Sequence, residues 1–294
     1  MGRALGTKLN VARPGWPSPQ GGGLDAVSSD AELLEKARGG DPGAIEELLR
    51  RHERSIYRFG LRMCGDEESA REVLQETLLA AFKNLRSYRA DAALSTWLFQ
   101  IARSFCIKQR RRPSSEPATY ESTESPAARQ VPVPASGSDE RAHARQMAEL
   151  IQAAMSSLTP DAREVLMLRD VEGLSAEEAA EVLELSVPAL KSRLHRARMA
   201  LSAQLAAVLE APPGGAACPE LAAELSAYAA DEVDQAMCER IEAHLSRCPR
   251  CAAACEALKR TVSMCRALPG GDVPAAVKAA VRAALKPGGQ PAAQ

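Results

Sequence analysis

A chain of 294 residues has room for two or three small domains, and 3% aromatics with abundant Ala, Leu, Glu and Arg favours helices throughout. A formal net charge of −1 excludes nucleic-acid binding through an overall field, so any such affinity must come from local basic faces. No window approaches 18 consecutive apolar residues and the N-terminus lacks an apolar core segment, which predicts a cytoplasmic protein with neither membrane span nor signal peptide.

Residues 1–28, rich in Gly and Pro (GWPSPQGGG), have no periodicity and read as disordered. Order begins at the capping box Ser29-Asp-Ala-Glu32, and Asp41-Pro42 opens a second helix with Ile45, Leu48, Leu49, Ile56, Phe59 and Leu61 on one side. A third helix, about Glu67 to Leu85, carries the stripe Ala70, Val73, Leu74, Thr77, Leu78, Ala81 and Phe82. A fourth starts at Ser95 and turns Trp97, Leu98, Ile101, Ala102 and Phe105 inward before ending in Lys108-Gln-Arg-Arg-Arg112. Cys64 and Cys106 lie in apolar helical context and read as core. From Lys83 to Arg112 there are eight positive residues against one acid, Asp91, a rim that includes Arg110 and Arg111 and suits a phosphate backbone.

Residues 113–140 are Pro, Ser, Glu and Ala without pattern, a flexible tether. A helix from Arg141 to Leu158 leads into LTPDAREVLMLRDVEGLSAEEAAEVLELSVPALKSRLHRARMAL, residues 158–201. Thr159-Pro160 is an N-cap with proline at the first helical position, and Ser175-Ala-Glu-Glu178 is a second capping box. Glu184-Leu185-Ser186 turns the chain into a last helix that buries Val187, Leu190, Leu194 and Ala197. Lys191, Ser192, Arg193, His195, Arg196 and Arg198 lie on its other side, with four formal positive charges and no acid between Ser186 and Ala200. Two short helices joined by a tight turn, the second basic on one side, describe a helix-turn-helix with its recognition helix.

These strings resemble bacterial sigma factors of the extracytoplasmic-function (ECF) group. REVLMLRDVEGLS and VPALKSRLHRAR resemble region four, and EVLQETLLAAFKNLRSYR with LSTWLFQIARSFCIKQRRR resembles region two. The resemblance implies that the helix with Glu72, Gln75 and Glu76 docks on RNA polymerase core. It also implies that Ser87 to Leu94 and the following helix melt and capture the −10 strand, and that Lys191, Ser192, Arg193, His195, Arg196 and Arg198 read the −35 element. Arg110 and Arg111 join them as DNA-binding candidates. Glu184 departs from the family, which usually has glycine there, and a left-handed conformation would cost it roughly 1 kcal/mol.

Six of the eight cysteines (Cys218, Cys238, Cys248, Cys251, Cys255, Cys265) fall within 48 residues after the linker Pro212-Pro-Gly-Gly. Glu232 to Leu245 reads as helix, followed by His244-Leu-Ser-Arg-Cys248-Pro-Arg-Cys251. A Cys-x2-Cys at a helix junction sets two thiolates about 3.5–4 Å apart, as tetrahedral Zn²⁺ requires; His244 lies one turn earlier, and Cys218 supplies the fourth ligand. The pattern resembles the zinc-binding anti-sigma domain, with Cys218 in place of that family's first His. Cys238, Cys255 and Cys265 are surplus to structural zinc and are candidates for sensing a second thiophilic metal (Zn²⁺, Cd²⁺ or copper) or an oxidant. The whole order of domains resembles the CorE-like group of ECF sigma factors, whose cysteine-rich domain responds to metal.

The expectation is therefore an all-α sigma factor, not an enzyme: no nucleophile–base pair or phosphate-binding glycine loop is visible. Its expected domains are region two at 29–112, region four at 141–210, a cysteine-rich zinc finger at 216–268 and a tail at 269–294. Expected partners are RNA polymerase core and promoter DNA, without a membrane and without an obligatory separate anti-sigma factor. The alternatives are redox control of the same protein, or a tail that is a zinc-stapled interaction module.

Overall fold

The computed structural model describes residues 30–85, 88, 93–111, 138–208, 217–268 and 273–285. The expected disordered N-terminus, most of the Ser87–Leu94 loop, the 113–137 linker and the Pro212 linker lie outside the described residues, as does the side chain of Arg111. Every regular element among the described residues is a helix.

The first lobe comprises α1 (Asp30–Arg38), α2 (Pro42–Cys64), α3 (Glu67–Asn84) and α4 (Leu94–Arg111). Asp41 caps α2 by accepting from the backbone N–H of Gly43 at 2.9 Å, and Pro42 fits the first turn because no carbonyl awaits its missing N–H. Gly65, at φ 92°, ends α2 in the left-handed conformation that glycine adopts without strain. Asp66 then caps α3 from the N–H of Ser69 at 2.7 Å. Leu48, Leu49, Ile56 and Phe59 of α2 meet Leu74 and Leu78 of α3 and Leu98 and Phe99 of α4 in a closed core. Phe59 and Phe99 stack edge to face at 5.5 Å. Trp97, expected in this core, is only half-buried, because its ring lies on that of Tyr88, with centroids 4.9 Å apart.

The second lobe is α5 (Ser138–Ser156), α6 (Pro160–Leu166), α7 (Ala176–Leu183) and α8 (Val187–Val208). Its caps are those read from the sequence. Thr159 accepts from Ala162 N–H at 3.4 Å, and Ser175 and Glu178 exchange two bonds at 2.7 and 3.1 Å. Glu184 adopts φ 56°, ψ 44°, so it bears the left-handed strain anticipated for it. A π-helical turn at Met167–Val171, without signal in the pattern, extends α6 and buries Met167, Leu168 and Asp170.

A third unit follows: a short 3₁₀ turn (Pro219–Leu221), α9 (Ala222–Tyr228), α10 (Gln235–Leu245) and α11 (Pro249–Arg266). Its own core is small, formed by Leu225, Ala229, Ile241, Cys251, Cys255 and Leu258. Glu232, expected inside a helix, lies outside it, because Asp234 caps α10 from Met237 N–H at 2.8 Å and Asp231 turns the chain at φ 61°. Residues beyond Leu268, expected as tail, include α12 (Ala275–Leu285), whose Val277 and Val281 are buried with Val273 in the main core. This helix packs on α3, and Arg282 reaches Glu46 of α2 at 3.5 Å. Burial raises the carboxyl of Glu53, opposed by Arg282 and Lys278 beside it, so the basic side of α12 faces α2.

The three units close into a ring. The two lobes share one apolar core, with α4 packed on α7, and are bridged by polar contacts besides: Arg58 grips Glu172 with two bonds of 2.7 and 2.6 Å, and buried Glu164 accepts from Arg103 and Arg110, both at 3.2 Å. The third unit joins α8 through a buried cation. Arg198 is 1% exposed and pairs through both ends of its guanidinium with Asp170, by Nε–H at 2.8 Å and a second, shorter bond. It also donates to Ser226 O at 2.9 Å and to Glu232 Oε1 at 3.1 Å, and Arg169 reaches the same Glu232 at 2.6 Å. Burial opposes the charge of Arg198, but Asp170 and Glu232 outweigh it and raise the pKa.

A buried pair is costly to break from one side, since the survivor is left charged and unpaired. Asp170→Ala should lose about 3–5 kcal/mol in denaturant unfolding of the whole chain. The double change Asp170→Leu with Arg198→Met should recover most of that loss. Additive losses in the double variant would mean the pair is not coupled as described.

Candidate metal centre and promoter-reading surfaces

Cys218 precedes the 3₁₀ turn, His244 sits in the last turn of α10, and Cys248 and Cys251 straddle the start of α11, where Pro249 opens the helix. The ligand atoms of these four residues all lie within 4.8 Å of one another. His244 Nε2 is 3.2 Å from Cys251 Sγ, and Cys218 N–H donates to that sulfur at 3.3 Å. A tetrahedral ion with Zn–S of about 2.3 Å and Zn–N of about 2.0 Å needs ligand separations of roughly 3.5–3.8 Å, so a Cys₃His set of this size fits zinc. The backbone N–H of Cys251 holds the Cys248 thiol down to about 7, while the Cys251 sulfur beside it pushes Cys218 up to about 11.

The thiols expected to be surplus to structural zinc, Cys238, Cys255 and Cys265, lie outside this set. Among the described residues, no other His, Cys, Asp or Glu cluster has ligand atoms close enough to hold an ion. Cys238 turns to the carboxylate of Glu242 at 3.4 Å. Cys255 shares a helix with Cys251 but is packed with Ile241 and Leu258 in the small core, 1% exposed. Cys265 belongs to the main core beside Asp170 and Arg198, and burial pushes its thiol far up.

On α8 the candidate base-reading residues divide into two groups. Lys191, Ser192 and Arg196 are exposed, and Arg193 is half-buried with a 3.3 Å bridge to exposed Asp161, a pair weak enough to exchange for a phosphate. His195 is half-buried, and burial with the Arg198 and Arg196 cations lowers its pKa, so it is neutral at pH 7. Arg198 is the correction: it lies in the same basic run, yet its guanidinium is consumed inside the protein and is not offered to DNA. Arg110 is likewise engaged, with Glu164 of the other lobe. On α3, Glu76 is exposed and Gln75 half-buried, while Glu72 accepts from Gln109 of α4. No helix among the described residues is long and apolar enough to cross a membrane.

Comparison with known proteins agrees with this division. The chain matches the family models for sigma-70 region 2 over residues 48–116, sigma-70 region 4 over 148–201 and a zinc-finger family over 218–252. It is 31% identical to the RNA polymerase sigma-H factor of Pseudomonas aeruginosa over 189 residues, 61% of this chain and 95% of that one. It is 32% identical to the ECF RNA polymerase sigma factor SigM of Mycobacterium tuberculosis over 174 residues, 59% and 83% of the two chains. Solved relatives include CnrH in complex with the cytosolic domain of CnrY (28% identity, 61% of this chain and 99% of that one, TM-score 0.46). Another is RpoE with the anti-sigma factor NepR from Bartonella quintana (24% identity, 54% and 92%, TM-score 0.40). With region two, region four and most of the length of its curated relatives accounted for, the chain belongs to the ECF sigma factors of RNA polymerase and carries a zinc-finger domain after region four.

Proposed function

We propose that this sigma factor reads the −35 element with the N-terminal half of α8, captures the −10 strand with the first lobe, and is restrained by its own C-terminal unit. Lys191, Ser192, Arg193, His195 and Arg196 would face the −35 bases and phosphates; Glu72, Gln75 and Glu76 on α3 would face polymerase core. The observation that carries the reading is the ring of contacts. By their names the two elements lie roughly 25 base pairs apart, about 85 Å of B-form duplex at about 3.4 Å per pair. Lobes joined by Arg58–Glu172 at 2.6 Å and Arg103–Glu164 at 3.2 Å cannot engage both, so the closed arrangement is a resting one.

The C-terminal unit touches both lobes. It grips the C-terminal half of α8 through Ser226 and Glu232, and it returns to α3 through α12. The exposed N-terminal half of α8 is left uncovered, so restraint acts on the separation of the lobes and not by masking the reading residues. Zinc held by Cys218, His244, Cys248 and Cys251 would supply folding free energy on the order of 10 kcal/mol to a unit whose own core is small. Ser226 and Glu232 fall between the ligands Cys218 and His244 in the chain, so loosening the site loosens the grip on Arg198. Metal control of this kind is what the likeness to the CorE-like group suggests.

In transcription with purified core, Cys248→Ala or chelation should raise output roughly 10-fold, the effect of about 1.4 kcal/mol on the closed–open balance. Val277→Asp in α12 should do the same with the metal site intact. Unchanged or reduced transcription in both would refute restraint by the tail. Separately, Arg193→Ala or Arg196→Ala should weaken promoter binding by about 1–3 kcal/mol if the residue reads a base edge, and uniformly across sequences if it holds a phosphate. Arg198→Met should have no such direct effect on promoter affinity once the lobes are apart.

A further inference from the structure

Two thiols outside the zinc-binding unit face each other in the first lobe. Cys64 is the last residue of α2, next to the Gly65 cap, and Cys106 lies inside α4; they are 42 residues apart in sequence, with their sulfurs 3.8 Å apart. The sequence reads both as core, and that holds for Cys106, which is fully buried. Cys64 is not buried in the same way: it is half-buried at a helix end, packed against the edge of the core. The pair thus has one residue at the edge of the lobe, partly open to solvent, and one wholly enclosed.

Their proton affinities differ in the same sense. The hydrogen bond with the Cys106 thiol lowers the pKa of Cys64 and outweighs its partial burial, with the Arg110 cation adding to the effect against Asp66 and Glu72. Cys106 is pushed up, first by that neighbouring sulfur and then by burial.

We propose that Cys64 and Cys106 form an oxidisable dithiol, with hydrogen peroxide or a small hydroperoxide as oxidant and an intramolecular disulfide as product. The Cys64 thiolate attacks one peroxide oxygen, the O–O bond breaks, and Cys64 becomes a sulfenic acid with loss of hydroxide, which takes up the released proton as water. The Cys106 sulfur then attacks Cys64 Sγ, expelling the sulfenic oxygen as a second water and forming the S–S bond. Two thiols and one peroxide give one disulfide and two waters. Once Cys64 is a neutral sulfenic acid, the anion that opposed ionisation of Cys106 is gone. The sulfurs must close from 3.8 Å to about 2.05 Å, a shift that side-chain rotation at a helix end beside glycine can supply.

The cross-link encloses α3 and the stretch leading to α4, so it braces the parts of the lobe between the two thiols. The test is peptide mapping of the zinc-loaded full chain after brief exposure to peroxide, with free thiols alkylated before digestion. The expected result is a linked pair of peptides carrying Cys64 and Cys106, reversed by dithiothreitol. A sulfenic-acid probe should label Cys64 in Cys106→Ala, whereas Cys106 in Cys64→Ser should stay unlabelled in the folded chain. Oxidised wild type should melt at least about 4 °C above oxidised Cys64→Ser, the difference isolating this pair from tail thiols. Recovery of both thiols reduced under conditions that oxidise tail cysteines would overturn the proposal. So would labelling of Cys106 as fast as Cys64.

Discussion

The arrangement depends on a single buried guanidinium. Arg198 lies on the helix that carries the DNA-reading residues, yet it points inward, and Asp170 and Glu232 reach it from two different units. Removing a cation from water costs several kcal/mol, and the close bidentate geometry with Asp170 offsets that cost while fixing the orientation of α8 against the π-helical turn. Glu232 adds a condition: its carboxylate is presented only when the α9–α10 connection is folded. The pair therefore registers region four internally, and its third partner reports whether the zinc-binding unit is in place.

The remaining contacts between units are of a kind that can be broken. Arg58–Glu172, Arg103–Glu164 and Arg110–Glu164 are partly exposed on the arginine side while their carboxylates are buried, so they part cheaply only when separation of the lobes returns both partners to water together. The tail adds an apolar hold on the first lobe through Val277 and Val281 of α12 and Val273 just before it. The lobes also share apolar contacts, so opening must part these as well as the bridges.

Much of this was legible in the sequence because it is local. The caps at Asp41, Thr159 and Ser175, the left-handed turn at Glu184, and the Cys-x2-Cys with a histidine one turn before it all depend on neighbours within a few residues. What escaped was set at long range. Arg198 belongs to an uninterrupted basic run, and nothing nearby distinguishes it from Arg196; its burial follows from Asp170 and Glu232, 28 and 34 residues away. Cys255 and Cys265 shared the spacing of ligands, but their helix turns Cys255 into the small core with α9 and α10 and Cys265 into the main core. The valines at 273, 277 and 281 did carry a signal, an i, i+4 stripe, in a segment set aside as tail.

The central claim is that the folded zinc-binding unit keeps the two promoter-reading lobes together. It is tested most directly by energy transfer between dyes introduced as unnatural amino acids at exposed Glu67 on α3 and Glu177 on α7. Metal-replete protein should give a single short distance. Chelation, or Glu232→Gln in the metal-replete chain, should shift the population toward a longer and broader one. A distance that stays fixed after chelation, while circular dichroism shows the C-terminal unit losing its helices, would contradict the account.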